Sequence, residues 1–557
     1  MKTILKSIKK SLKEISPFEN IRVLGSNPKG DILAGITVAI IALPLALAFG
    51  EISKLGPIAG IWGAIAGGIF GGFFGGCMVG VSGPTAPKAA QIAAFMSFFI
   101  IGTSGNPDLV AAFSIIFISG LILVIISILR ISRFIHYTPY PVIAGFMCGI
   151  GVIVILTQLN AFVGLGVENS IMGTIKNLQH TLNNYNREAL FVSLPSILVL
   201  FFWDKVGEKV NILKNIPAPL FALVFGTAIS QILQLDIPYI GDKMSGADSD
   251  KIFTFYLPDF SRFQEFIIPA VALAGLAILD SLLSCKVADN LTGLRHSSDR
   301  ETFGQGMANM GAGIFGGVTT ATATMRTVAN IKFGGKTPLA SIVHGVTLLA
   351  ILLGLSSLVA LIPTACLAAI LFKVGIEIMD YRILPILKKI PKLDMAIFFI
   401  VLFITVFEDL MVAIAVGGIL AVIGSFNHIR GAISKHNSYK IIPFKKSDIQ
   451  IDQTISESLN LSSTYVIQPM GTIFFGTIEP LLENYSKQPN HETLIIDMQY
   501  VKHADLTGAF AIEDLCKVCK MKDIKAFIVN EKGPIQDLLS DLNISKAFRP
   551  EMQTTHL

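Results

Sequence analysis

The feature that most constrains this chain is the recurrence of apolar stretches, each close to the roughly 20 residues an α-helix needs to cross a bilayer. On that scale spans fall at 31–50, 57–75, 84–103, 109–130, 137–161, 190–204, 216–234, 264–288, 299–317, 322–335, 338–356, 358–374, 391–407 and 410–430. Of these fourteen, the third and tenth are the weakest. With 52% hydrophobic and only 15% charged residues over 557 positions, the chain has too little polar surface to fold such segments in water. Most of it faces lipid or other apolar helices.

The links between spans carry their own signal, because cytoplasmic loops of membrane proteins are enriched in Lys and Arg. If the N-terminus is cytoplasmic, the loops after even-numbered spans carry Arg130 and Arg133, then Lys205, Lys209 and Lys214, then Arg295 and Arg300. Further along they carry Lys332 and Lys336, then Arg382, Lys388, Lys389 and Lys392. The opposite side holds the acid-leaning DIPYIGDKMSGADSD and the basic-poor links TSGNPD and GLSS. Both ends of the membrane part therefore read as cytoplasmic, in a multi-pass protein of the inner or plasma membrane. Residues 1–30 form a cytoplasmic segment whose lysine-rich start, MKTILKSIKKSLKE, reads either as a basic helix on the membrane surface or as a solvated tail. No small-residue cleavage site follows it, and six scattered cysteines give no disulfide framework.

An even span count permits two halves of seven, and an odd number per half inverts the second half relative to the first. Two matching irregularities support that plan: GVSGPTAPKAAQIAA in the first half and GGVTTATATMRTVAN in the second. Gly83, Pro84 and Pro87 break the former, and Gly316 and Gly317 break the latter, each just before a short apolar run. Paired, interrupted segments of this kind point to a binding site at the membrane midplane. A helix that starts there aims unpaired N–H groups at what lies ahead and carries roughly half a positive charge. Two such ends favour an anion. Thr85, Thr319, Thr320, Thr322 and Thr324 supply hydroxyl donors for a small oxyanion. Arg326 either adds a fixed positive charge to the site or caps backbone carbonyls. Lys88, one turn after Pro84, has three readings: it reinforces the positive site, pairs with a carboxylate, or extends to water.

Asp280 stands out in AVALAGLAILDSLLSCKVADN because about ten uncharged residues precede it. Ser284 lies one turn on and shares its helix face. Carboxylate and hydroxyl make part of a hard-oxygen shell for sodium, to be completed by threonine oxygens and carbonyls of a broken helix. The alternatives are a proton-coupling carboxyl and a structural partner for Lys88 or Arg326. Asp289 reads as a solvated acid near the cytoplasmic end.

Four motifs in this order, DILAGITVAIIALPLALAFG, GVSGPTAP, LDSLLSCKVADN and ATMRTVANI, resemble the sulfate permease (SulP) family of anion transporters, from Asp31 to the C-terminus. The resemblance implies an all-α polytopic membrane domain over 31–433, with fourteen spans as a seven-plus-seven inverted repeat. It implies a core of spans one to four and eight to eleven, a gate from the other six, an elevator-like movement and a homodimer. Within the family the Asp-Ser-Leu-Leu stretch is closest to sodium-dependent bicarbonate transporters. On that resemblance sodium falls to Asp280, Ser284 and Thr324 with the backbone of Thr322 and Ala323. The anion falls between Thr85 and Ala86 on one half-helix and Ala323 and Thr324 on the other, with Lys88 and Arg326 nearby. This chain departs from the family at Ser284 (threonine is usual), Thr322 (glycine), Lys88 (apolar) and Met325 (often serine).

After Ser434 the composition turns polar, and short apolar runs (TYVIQ, TIFFG, LIIDM, IKAFIVN) alternate with helical patterns through PLLENYSK and IQDLLSDL. Residues 434–557 are long enough for their own core and resemble the small cytoplasmic α/β STAS domain that family members carry here. The loop QYVKHADLTG presents Thr507 as a candidate regulatory phosphosite or as a helix cap. Cys516 and Cys519 fall inside a helix rather than at its start, which disfavours redox chemistry. Dispersed histidines and the lack of a Walker sequence argue against an enzyme or an ATP-driven pump, and nothing points to a cofactor or to nucleic acid. The chain reads as a secondary transporter of small inorganic anions, sodium-coupled bicarbonate symport first. A proton-coupled sulfate or dicarboxylate symporter or an anion exchanger comes second, and a passive channel or a membrane-anchored signalling scaffold third.

Overall fold

The computed structural model describes residues 15–96, 98–101, 106–132, 139–166, 171–209, 217–244, 254–379, 389–408, 410–424, 439–447, 460–473 and 488–529, with a few single positions between them. The lysine-rich start and the 433/434 boundary lie outside these residues, as do half of PLLENYSK and most of IQDLLSDL. By internal packing the chain divides into two units. One holds Met1–Ile135, Gly149–Asp289 and Leu294–Met379; the other holds His136–Cys148, Asn290–Gly293 and Asp380–Leu557.

Every apolar run coincides with a helix. In order these are Pro28–Ile52, Pro57–Phe74, Ala86–Met96, Leu109–Ile128, Tyr140–Thr157, Arg187–Lys209 and Ala218–Ile232. Phe263–Thr292, Ser298–Ile314, Thr324–Lys332, Leu339–Gly354, Thr364–Ile378, Lys392–Phe407 and Leu410–Gly424 follow. Among the described residues five are long and apolar enough to cross a membrane by themselves, with Phe263–Asp289 the longest. The third and tenth runs give the short helices, of 11 and 9 residues. The twelfth differs from expectation. It splits into Ser356–Ala360 and Thr364–Ile378, because Pro363 takes an extended backbone and starts the second piece as its N-cap.

In the first unit the helices touch through small residues, which lets backbones meet where no hydrophobic force drives helices together in lipid. A Cβ built on Gly60 would meet the Ala46 carbonyl at 1.8 Å, so Pro28–Ile52 and Pro57–Phe74 lie backbone against backbone. Gly120 and Gly306 do the same for Leu109–Ile128 and Ser298–Ile314. The second helix widens into a π-helical turn over Gly67–Gly71. The two breaks then meet: Ser82–Gly83 pairs antiparallel with Ala321–Thr322, Ser82 opposite Thr322 and Gly83 opposite Ala321.

The second unit contains a four-stranded sheet in the order Lys525–Val529, Thr493–Asp497, Thr464–Pro469, Tyr439–Pro443. The first three strands run parallel, with Ile495 between Phe527 and Val466, and Tyr439–Pro443 is antiparallel at the edge. Val466, Leu494 and Ile495 are buried, as continuous apolar runs in a parallel sheet should be. Gly471–Ile473 pairs separately with Val501–Ala504. The helix Leu506–Met521 is capped by Asp505, whose carboxylate accepts from Gly508 N at 2.7 Å. Thr507 is therefore not the cap. Its Oγ1 accepts from Tyr140 N at 3.0 Å, the Phe510 ring lies 4.6 Å from that of Tyr140, and Asp394 accepts from Leu506 N.

Candidate functional site

Each half-helix starts where its sequence forbids an earlier start. Pro84 and Pro87 flank the opening of Ala86–Met96, and Pro87 has no N–H to leave unsatisfied. Gly316, at φ +71°, turns the chain into the extended run that ends in Thr324–Lys332. The first in-helix bonds are Ala89 N to Thr85 O and Thr327 N to Ala323 O. The first turns thus keep unbonded amides, as helix starts do.

Asp280 and Ser284 come to this place from the long helix Phe263–Thr292. The Thr85 hydroxyl donates to Asp280 Oδ2 at 2.5 Å, tying the first half-helix to that carboxylate. Ser284 Oγ donates to the Asp280 carbonyl and lies 2.8 Å from Thr324 Oγ1 on the second half-helix. Asp280, Ser284, Thr85 and Thr324 therefore converge. Thr322 and Ala323 contribute backbone next to them, but their amides are occupied: Thr322 N donates to Ser281 Oγ and Ala323 N to the Val81 carbonyl. Ala86 begins the first half-helix and is buried.

The other threonine hydroxyls look elsewhere. Thr319 donates to Asn309 Oδ1, Thr320 Oγ1 approaches Gln305 Oε1 at 3.5 Å, and Thr322 donates to Glu301. A buried hydroxyl needs a partner, and Ser298–Ile314 supplies all three. Glu301 on that helix also accepts from the Gly76 and Cys77 amides at 2.8 and 2.9 Å and from Gln305 Nε2 at 2.9 Å. Asn309 Nδ2 holds the Thr320 carbonyl. Sequence reasoning passed over Glu301, Gln305 and Asn309; their spacing of four, placing three polar groups along one face of an apolar span, was the available signal.

Two cations are sealed in. Lys88 has no exposed surface and donates to the Thr320 carbonyl; it does not reach water, and among the described residues it forms no direct ion pair. Arg326 is 1% exposed, and among the described residues none of its three guanidinium nitrogens has a hydrogen-bond partner. It therefore caps no carbonyl. A Cβ on Gly83 would fall 1.9 Å from Arg326 Nη1, so only glycine leaves room for the guanidinium there. Asp280 is the carboxylate whose charge acts on both cations. The His344 ring and the Gln91 amide are also buried without partners among the described residues.

Two expectations at the cytoplasmic end are corrected. Asp289 is not solvated: it accepts from His296 N and lies 2.8 Å from His296 Nδ1, with 12% of its side chain exposed. Arg300 is not a loop charge either, being buried against Glu19 and Asn20. In the tail, Cys516 and Cys519 are buried within their helix, and burial pushes both thiols up, Cys519 to about 11. That is the opposite of redox activation.

Comparison with known proteins adds relatives to this geometry. Residues 29–401 match the Sulfate permease family, and residues 456–556 match the STAS domain. The chain is 33% identical over 538 residues to "Bicarbonate transporter BicA" of a Picosynechococcus species, covering 94% of this chain and 92% of that one. It is 29% identical over 528 residues to "Putative sulfate transporter YvdB" of Bacillus subtilis, covering 91% and 92%. Among solved structures, the transmembrane domain of a cyanobacterial bicarbonate transporter BicA aligns with TM-score 0.61 at 37% identity, over 69% of this chain and 97% of that one. The overall structure of SLC26A9 aligns with TM-score 0.60 at 19% identity, over 94% and 88%, a likeness of fold.

Proposed function

The chain belongs to the sulfate permease family of anion transporters, an integral multi-pass membrane protein rather than an enzyme, and from that premise we propose that it carries bicarbonate together with sodium. The observation that carries this reading is that Asp280 holds the Thr85 hydroxyl through its carboxylate and the Ser284 hydroxyl through its backbone carbonyl, with Ser284 Oγ 2.8 Å from Thr324 Oγ1 at the start of the second half-helix. Hard oxygen donors of this kind suit sodium, completed by carbonyls of Thr322 and Ala323. The anion lies between the openings of the two half-helices, at Thr85 and Ala86 on one side and Ala323 and Thr324 on the other. Unbonded amides and the Arg326 charge favour it there.

The pairing of Ser82–Gly83 with Ala321–Thr322 makes one frame of both openings, which suits an elevator-like movement of the core against a gate. Sodium with bicarbonate at one to one moves no net charge. The chemical sodium gradient drives it, and the membrane potential, about 2.3 kcal/mol per charge per 100 mV, does not. In this reading residues 31–433 form the membrane domain with fourteen spans, both ends are cytoplasmic, 434–557 is the STAS domain, and the protein works as a homodimer.

Uptake of labelled bicarbonate into proteoliposomes tests it, with an inward sodium gradient against an inward proton gradient, in wild type and Asp280→Asn. Sodium-driven uptake that disappears in Asp280→Asn is the expected result. Proton-driven uptake would make Asp280 a proton carrier. Sulfate or dicarboxylate uptake without bicarbonate uptake would replace the substrate.

A further inference from the structure

We propose that Lys88 is a specificity-determining residue that shifts this site toward doubly charged oxyanions; the proposal rests on the reading above of where the anion lies. Four observations carry it. Lys88 is fully buried in the first half-helix, three residues after Thr85, whose hydroxyl holds Asp280. Its ammonium has three N–H donors, yet among the described residues the Thr320 carbonyl is its only acceptor. Arg326 across the break has no acceptor for its guanidinium nitrogens among the described residues. Gln91, three residues after Lys88, is buried with both amide atoms unpartnered among the described residues, so the polar side of this half-helix continues inward without a protein partner.

Two basic side chains, Lys88 and Arg326, thus lie beside the Asp280 carboxylate, whose charge acts on both. Glu301 is the next carboxylate, engaged by neutral donors. Its Oε2 is held by the Gly76 and Cys77 amides, and its Oε1 by Gln305 and Thr322. A positive charge beside the anion attracts a doubly charged oxyanion more strongly than a singly charged one, so Lys88 shifts the relative preference of the site toward the former, and an apolar side chain at position 88 would shift it back.

Lys88 does not stand in for sodium in this arrangement. Its acceptor is the carbonyl of Thr320, outside the Asp280, Ser284 and Thr324 set. The lysine adds charge on the anion side and leaves the cation side open.

The test measures sulfate and bicarbonate uptake by the full-length protein in proteoliposomes under one inward sodium gradient, in wild type, Lys88→Met and Lys88→Arg. The readout is the ratio of the two kcat/KM values. It is expected to fall at least about tenfold against sulfate in Lys88→Met, about 1.4 kcal/mol of selectivity, and to recover in Lys88→Arg. An unchanged ratio in Lys88→Met, or an equal loss of both anions that Lys88→Arg repeats, overturns the proposal. Sodium dependence that appears only in Lys88→Met also overturns it, because the lysine would then replace the coupling ion.

Wild type alone gives a second measurement that needs no variant to fold. Sulfate should inhibit labelled bicarbonate uptake at lower concentration than nitrate does, and the reverse order refutes the charge argument. If the ratio shifts with Lys88 while sodium has no effect, the sodium reading fails and the role of Lys88 stands. Wild type that takes up neither anion overturns both.

Discussion

Removing the Glu301 carboxylate should separate two jobs of the helix Ser298–Ile314, bracing the loop before the first half-helix and holding the second break. In Glu301→Ala the Gly76 and Cys77 amides, bonded to Oε2 at 2.8 and 2.9 Å, lose their acceptor inside the protein. Orphaned buried donors cost about 1–3 kcal/mol each, so the two amides together cost about 2–6 kcal/mol. Gln305 Nε2 loses less, since it also donates to Ser82 Oγ at 2.7 Å and Thr322 Oγ1 at 2.8 Å. Glu301→Gln can turn its carbonyl toward the two amides and keep both bonds. It gives up charge assistance and the Oε1 acceptor of the Thr322 hydroxyl, and it sets its NH2 against that of Gln305, at a cost of about 1–3 kcal/mol. Heating the purified protein in detergent and scoring the monodisperse fraction gives the order: wild type most stable, Glu301→Gln slightly lower, Glu301→Ala far lower. Where the Ala variant survives, anion uptake should fall as well, because Thr322 loses the group that fixes its side chain. A Glu301→Ala protein as heat-stable as Glu301→Gln would refute the reasoning, since the amides would then have found acceptors that the structure does not offer.

Four more outcomes follow from the geometry. Gly83→Ala places a Cβ 1.9 Å from Arg326 Nη1, displaces the guanidinium, and should cut initial uptake rates at least about tenfold while Gly25→Ala, with open space around it, leaves them unchanged. Cys516 and Cys519 should resist maleimide at pH 8 in the folded protein and react in denaturant, because burial holds both thiols protonated. The same raised Cys519 value, about 11 against about 8.5 unfolded, means stability that is complete below the unfolded value and lost as pH climbs to about 11; a Cys519→Ala variant should lose part of that alkaline decline in pH-resolved melting curves. Asp505→Ala should cost about 1 kcal/mol and speed hydrogen exchange at Gly508, the amide that its carboxylate holds.

The sequence was legible where a residue type leaves the backbone few choices. Pro84, Pro87, Gly316 and Gly317 marked both breaks, and the half-helices start close by, at Ala86 between the two prolines and at Thr324 seven residues after Gly317. Asp280 and Ser284 were legible because a carboxylate inside an apolar run needs a reason. The directions of the threonines were not. Strand alternation would turn Thr319 and Thr320 opposite ways, yet both hydroxyls, like that of Thr322, find partners on Ser298–Ile314, a packing that the local pattern does not carry. Glu301, Gln305 and Asn309 sit in a span read for its hydropathy, where small residues masked a polar face. Tyr439–Pro443 was missed because a short edge strand beside two lysines looks like a linker. In the tail, Asp505 took the capping role because its carboxylate is the better acceptor for the Gly508 amide, which left the Thr507 hydroxyl for Tyr140.

The partners of the buried charges also set a schedule for synthesis. Lys88 waits 232 residues for the carbonyl of Thr320, and Asp31 waits 306 for the amide and hydroxyl of Thr337. At ~5–20 residues per second the first delay is roughly 10–50 s. Through that interval the nascent first half holds a lysine without its final acceptor and an aspartate with only its local bond to Asn27, next to a hydrocarbon layer that excludes both. The first half-helix therefore cannot settle as it leaves the ribosome. It must wait at a wetter place, within the insertion machinery or near the membrane surface, until the second break arrives to close the frame.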